Sequence, residues 1–282
     1  MKPVRNAMTV DVEDWFQVQA FAGTIDRAAW DGLESRVEAN TDRVLAQFSE
    51  AGTKATFFTL GWVAERKPAL IRRIVAGGHE LASHGHGHER VAAIGEQAFR
   101  ADIRRARTVL EQVSGQAVRG YRAPTFSIGA KTTPWAHRVL AEEGYLYSSS
   151  IFPIQHDLYG AAEAPRGPHR PSPDGVVELP MTTLRAFGRN WPCSGGGWFR
   201  LLPYALFRAG LRRVNGAENN AGIFYFHPWE IDAGQPRVAA PPRARFRHYT
   251  GIPTMAPRID RLLRDFAWGR MDEIHAGAIL AR

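Results

Sequence analysis

The sequence predicts an α/β protein built on a mostly parallel sheet, and three observations carry that expectation. Short β-branched or aromatic runs alternate with longer helical patterns, the order produced by successive strand–helix units. Several of the apolar runs end in polar residues capable of chemistry, as the carboxyl ends of parallel strands do in barrels and open sheets. The 282 residues, 44% hydrophobic with eight Trp and 15 Phe, suffice to bury a sizeable core.

Strands are expected at 7–12, 54–60, 79–83, 117–121, 145–148, 176–179 and 222–226. Between the first two, Asn40 or Thr41 can cap a helix that runs through Phe48 and stops at Gly52. Pro68 opens a second helix that ends at Ala76, before Gly77-Gly78. Residues 96–113 set Phe99, Ile103, Ala106, Val109, Leu110 and Val113 on one helical face with the arginines outside. Further helices are expected at 130–143, 201–213 and 254–266, and irregular Pro/Gly-rich stretches at 153–175 and 234–253.

The charge is +8, from 36 basic and 28 acidic residues, and only four of the basic residues are lysine. Such a balance fits an anionic surface or a genomic arginine bias, and no nucleic-acid-binding motif accompanies it. The single cysteine, Cys193, excludes an intramolecular disulfide framework and a cysteine-based zinc knuckle. A metal would therefore be held by histidine and carboxylate. The amino terminus lacks the apolar centre of a signal peptide, and no run of about 18 apolar residues occurs, so a soluble, cytoplasmic protein is expected.

Two clusters have the composition of a metal site. In His79-Glu80-Leu81-Ala82-Ser83-His84-Gly85-His86-Gly87-His88, the i, i+4 pair His84 and His88 can reach one ion if the backbone turns tightly. Gly85 and Gly87 permit that turn. In Asp11-Val12-Glu13-Asp14, strand parity puts Asp11 and Glu13 on one face, so one can bind metal while the other serves as base. Asp14 joins them only if the strand has already turned. Arg122 and His227 follow two other apolar runs, and four strand ends could thus meet in one place. Together they suggest metal-assisted hydrolysis with a carboxylate base and a separate acid. Trp15, Trp191, Trp198 and Trp229 lie close in sequence to these clusters and could stack on a sugar or pack in the core.

These segments resemble the polysaccharide deacetylases of the NodB-homology group, carbohydrate esterase family four, and in particular the branch found with bacterial exopolysaccharide loci. The resemblance is carried in order by Thr9 to Phe16, Lys54 to Gly61, Gly78 to His88, Gly120-Tyr121-Arg122-Ala123-Pro124 and Tyr225-Phe226-His227. It implies an incomplete or distorted (β/α)7 barrel filling residues 1–282 as one domain, with 230–282 as a closing extension. The implied reaction is removal of N-acetyl groups from N-acetylhexosamine units of a polysaccharide or its lipid-linked precursor. Asp11 would be the base, His227 the acid, and Arg122 the partner holding Asp11. His84 and His88 would bind Zn²⁺, with Co²⁺, Mn²⁺ or Ni²⁺ as alternatives. The third ligand stays open between Glu13 and Asp14, with parity favouring Glu13.

One departure concerns Tyr147-Ser148-Ser149-Ser150, where serines replace the carboxylate and aromatic that often steady the acid histidine. The partner of His227 is therefore unassigned. The implied partner molecule is an N-acetylated glycan, with peripheral contact to an anionic membrane as a reading of the excess arginine and no nucleic acid. The oligomeric state is not encoded in these patterns. Two other functions compete: an allantoinase-like hydrolase opening a small cyclic amide, and an inactive deacetylase scaffold that binds glycan.

Overall fold

The computed structural model describes residues 4–157 and 159–281. Among these, ten strands occur: β1 Arg5–Val12, β2 Thr56–Thr59, β3 Glu80–Ser83, β4 Gly120–Tyr121, β5 Tyr147–Ser148, β6 Val177–Glu178, β7 Thr183–Ala186, β8 Arg189–Pro192, β9 Ile223–Phe226 and β10 Ala267–Gly269. Strands β1 to β6 pair in sequence order, and all their pairings are parallel. The first also pairs with β9 along its middle and with β10 at its start. The sheet curls into an incomplete, distorted (β/α)7 barrel with helices on its outside.

All seven anticipated strands are present; the first begins two residues earlier, and the others are trimmed by up to three residues at an end. The expected helix at 201–213 is two helices, Gly196–Leu201 and Tyr204–Gly216. Pro203 separates them, because it holds Leu202 in an extended conformation that no helix can contain. The stretch expected to be irregular at 234–253 contains a helix, Pro242–Tyr249. The antiparallel hairpin β7–β8, the short β10 and the helix Gly61–Arg66 are additional. The hairpin carries no run of alternating apolar residues to announce it, and β10 takes its conformation from the start of β1.

Strand parity decides what fills the barrel. Met8, Val10 and Val12 of β1 face outward and join the main core under the helices, with Val44, Phe57, Leu81, Ile103 and Leu262. Ala7 belongs to a separate interior cluster with Phe58, Ala82, Tyr147, Val177, Ile223 and Tyr225. Gly120 is needed inside, because a Cβ there would stand 2.2 Å from the Tyr147 ring.

The barrel is not closed by a ladder between β6 and β9. Side-chain hydroxyls bridge the gap instead: the Ile223 amide donates to Thr182 Oγ1 at 2.5 Å, and Ser194 Oγ donates to the Ile223 carbonyl at 2.6 Å. At the amino-terminal end of the strands, Met271 closes the interior, its amide donating to Thr56 Oγ1. No helix among the described residues is long and apolar enough to cross a membrane.

Glu80 is buried at this end and accepts hydrogen bonds from Thr56, Tyr147 and the Asp272 amide. Burial, with Asp272 nearby, pushes its carboxyl up to about 7. An acid whose folded value lies above its unfolded one stabilises the fold in its protonated form. That contribution is complete below about 4.5 and is lost as pH rises through about 7. Glu80→Gln, permanently neutral, is accordingly expected to gain stability relative to the parent between pH 5 and pH 8. Thermal midpoints of both proteins across that range check this.

Candidate active site

The carboxyl ends of the strands meet in a buried polar cluster. Asp11 on β1 and Glu13 just after it meet His84 after β3, Arg122 after β4 and His227 after β9, the first four no more than 2% exposed. Arg122 has no exposed surface and bonds on every side: Nη1 donates to Asp11 Oδ1 at 2.6 Å and Thr9 Oγ1 at 2.8 Å. Its Nε and Nη2 donate to the Ser149 carbonyl and hydroxyl, each at 3.1 Å. The guanidinium lies 4.1 Å from the Phe58 ring centroid.

Ligand atoms of Glu13, His84 and His88 lie within 4.8 Å of one another. His84 Nδ1 is 2.9 Å from the Arg122 carbonyl oxygen, which can only accept, so the proton is on Nδ1 and Nε2 keeps its lone pair. Burial pushes this imidazole down to about 4, which keeps it neutral. Glu13 Oε2 is buried, and although His88 Nε2 lies 2.7 Å away, no donor among the described residues meets it in hydrogen-bond geometry. Burial opposes ionisation of Glu13, but His88, His227 and His84 outweigh it and hold the carboxyl at about 2. One ionised carboxylate and two imidazoles, one of them fixed by a carbonyl behind it, are a donor set that fits a catalytic divalent metal.

The histidine loop is held from below. Asp102, on the helix Val91–Ser114, accepts the amides of His86 at 2.9 Å and Gly87 at 3.1 Å. Gly85 has φ +76°, and a Cβ there would approach Asp102 Oδ2 to 2.7 Å. His79 and His86 stay outside the cluster: His79 Nδ1 accepts the Ala55 amide, and His86 Nε2 faces Glu65 at 3.1 Å.

His227 faces the cluster through Nε2, 3.3 Å from Glu13 Oε1 and 4.0 Å from Asp11 Oδ2. Its Nδ1 is 2.7 Å from Glu230 Oε1, and Glu230 in turn accepts Arg200 Nε at 2.7 Å. Burial works against the imidazolium, yet Glu13, Glu230 and Asp11 together raise it to about 9. The Trp229 ring stacks on His227 at 5.1 Å and donates Nε1 to Glu13 Oε1. A cavity of about 480 Å³ opens beside His88, lined by Phe16, Gln17, Arg27 and Trp30 among others. Gln17 Nε2, buried there, has no hydrogen-bond partner among the described residues.

Residues 21–145 match the polysaccharide deacetylase family model, with the β1 acids just before them and His227 beyond. Residues 21–145 are thus a polysaccharide deacetylase segment of the NodB-homology type. Residues 149–276 match a second model, a domain of unknown function (DUF3473), and this segment contains Arg200, His227 and Glu230 of the cluster. A peptidoglycan-N-acetylglucosamine deacetylase of Bacillus cereus is 31% identical over 96 residues, 34% of this chain and 35% of the relative. A chitooligosaccharide deacetylase of Sinorhizobium fredii is 30% identical over 146 residues, 51% of this chain and 61% of the relative. The matches therefore span about a third to three fifths of these curated relatives. The fold is shared with a Mycobacterium smegmatis crystal structure classed among polysaccharide deacetylases, at a TM-score of 0.63 and 22% identity. That match covers 99% of this chain and 91% of the other.

Asp14, one of the two acids carried as metal-ligand candidates, lies outside the cluster. Past Val12 the backbone turns, with the Glu13 amide donating to the Asp11 carbonyl, and Asp14 swings away. Its carboxylate accepts the Trp15, Arg36 and Val37 amides, the last two at the start of the helix Val37–Glu50. Sequence reading missed Glu230 and Arg200. The signal for Glu230 was present as His227-Pro228-Trp229-Glu230, a capping box with proline at the first helical position. Arg200 had no local signal, being 30 residues from its partner.

Gly85→Ala should destabilise the fold by about 1–3 kcal/mol, the range for a side chain forced into the left-handed region. The His84–His88 separation should also loosen. Urea unfolding measures the first effect, and imidazole chemical shifts report the second.

Proposed function

We propose that this chain is a metal-dependent deacetylase that hydrolyses N-acetyl groups on N-acetylhexosamine units of a glycan, such as an exopolysaccharide or its lipid-linked precursor. The observation that carries the reading is the meeting, in one buried cluster, of an Arg-held carboxylate, a carboxylate–imidazole donor set and a histidine flanked by Asp11, Glu13 and Glu230. Glu13, His84 and His88 would hold a divalent ion, zinc with cobalt, manganese or nickel as alternatives. Bound there, the ion supplies Lewis acidity toward the acetyl carbonyl and a lowered pKa for water.

The chain's own residues divide the proton work. Asp11 has Oδ1 engaged by Arg122, which leaves Oδ2, on the His227 side, to take the proton of the attacking water. His227 carries its proton at neutral pH and points Nε2 inward, ready to protonate the amine as the C–N bond breaks. Acetate and a free amine leave. Glu230 holds Nδ1, so the donor toward the substrate is always Nε2. The cavity beside His88 offers aromatic walls and the unpaired Gln17 amide donor, chemistry suited to a sugar bearing an acetamido group. We also propose that residues 1–282 act as one catalytic domain, closed by 230–282, since both halves supply strands beside β1 and residues to the cluster.

The metal-loaded protein is expected to release acetate from chitooligosaccharide, with loss on chelation and recovery with Zn²⁺ or Co²⁺. Glu13→Gln should abolish metal uptake and also lower the thermal midpoint at neutral pH, because the carboxylate that the imidazoles hold ionised is lost. Asp14→Asn should keep metal and lose about 1–2 kcal/mol of stability, the scale of a helix cap. Absence of metal uptake by the parent, or ring opening of allantoin in place of acetate release, overturns the proposal.

Removing the Glu230 charge disfavours the imidazolium, so Glu230→Gln should move the alkaline limb of kcat/KM to lower pH. A pH profile of acetate release on both proteins measures it. An unmoved limb would separate Glu230 from the acid.

A further inference from the structure

The most unusual surface lies away from the cluster. From Leu179 to Ala217 the chain has six arginines and no aspartate or glutamate. Arg200 is committed to Glu230 and Arg208 to Asp265. The other four, Arg185, Arg189, Arg212 and Arg213, pair with no carboxylate among the described residues. A stretch this long that excludes acids carries a local excess of positive charge, with Arg185 and Arg189 on the two strands of the β7–β8 hairpin.

Apolar groups stand within it. Phe187, at the tip of the β7–β8 hairpin, is 96% exposed, and Trp191 on the returning strand is 51% exposed. Leu206, on the helix after the hairpin, is 63% exposed. The hairpin is nevertheless anchored. Asn190 donates to the Pro153 carbonyl at 2.9 Å, and Leu184 packs near Gly210 and Cys193.

Phe187 also occupies a backbone position that suits it badly. It and Gly188 form a two-residue loop with φ of +51° and +72°. Such a loop favours Asn-Gly or Gly-Gly, and a bulky residue at positive φ is an outlier. The phenyl ring gains no burial inside the molecule in return. A strained, solvated aromatic between Arg185 and Arg189 is a poor choice for stability and a good one for insertion.

We propose that this hairpin is a peripheral docking element for an anionic lipid surface. The paired arginines would meet lipid phosphates, while Phe187 enters the acyl boundary and Trp191 sits at headgroup level, where amphipathic rings concentrate. Charge selects this occupant over a neutral glycan or a second copy of the chain, whose matching face would carry the same unpaired arginines. The inference does not depend on the chemistry assigned to the strand ends.

Co-sedimentation with vesicles of phosphatidylcholine, with and without phosphatidylglycerol, tests it on the full chain. Binding is expected only with the anionic lipid and should fall with added salt. Each of Arg185→Gln and Arg189→Gln should weaken it about five-fold, the share of one basic residue at such a surface. Phe187→Gly removes the ring and suits positive φ, so it should bind about ten-fold more weakly while melting no lower than the parent. Retention of the parent protein in the supernatant overturns the proposal, as does equal binding to neutral vesicles or unchanged binding by Phe187→Gly. Sedimentation velocity supplies a further arm: a concentration-dependent dimer abolished by Phe187→Gly would assign the tip to self-association instead.

Discussion

A guanidinium with no path to water holds the mouth of this barrel together. Arg122 bonds to Thr9 and Asp11 on or beside β1 and to Ser149 just past β5, and it lies over Phe58 of β2. An unpaired charge at such a depth would cost several kcal/mol, so each of these partners is obliged to stay where it is. The same constraint that secures the fold therefore fixes the orientation of Asp11. The Arg122 carbonyl extends this control to the other side of the cluster by setting the tautomer of His84. Two of the strand ends converge on one residue, and the remaining groups are arranged around it.

The legible part of the site was the part set by strand parity. Asp11 and Glu13 alternate with outward-facing Val10 and Val12, so a period of two was enough to align them. The glycines of the histidine loop likewise announced a tight turn, and Gly85 has the positive φ they implied. Asp14 was ambiguous because its direction depends on a turn after Val12 that parity does not describe. Glu230 sits at the same near distance in sequence from His227, but on a single helical turn whose only mark is a proline and an acid. Arg200 and the hairpin were hidden for another reason: their partners lie far along the chain, and only tertiary packing brings them together.

The acid histidine is supported from a different direction than its neighbours. Its chain of contacts runs from His227 to Glu230 to Arg200, and Arg200 is itself tied to the carbonyls of His248 and Thr250. This places two buried opposite charges behind one imidazole, an arrangement that is favourable only while every member is bonded. It also accounts for a run of sequence that would otherwise read as a flexible linker. Any side chain at Gly196 would collide with Glu230, its Cβ falling 2.2 Å from Oε1, and Gly195 adopts φ +88°. The Gly195-Gly196 pair thus admits the carboxylate to the position that the serines after β5 do not fill.

The seam between β6 and β9 has a bearing on how the molecule behaves at high concentration. An open barrel normally exposes two strand edges, each a template on which another chain can add a strand. Here the Ile223 amide and carbonyl on the β9 edge are both consumed by the hydroxyls of Thr182 and Ser194. On the β6 edge, His169 exchanges two backbone hydrogen bonds with Glu178, an isolated bridge one residue long. The gap therefore remains open as a sheet, but the main-chain groups of Ile223 and Glu178 that face it are already bonded and cannot template an added strand there.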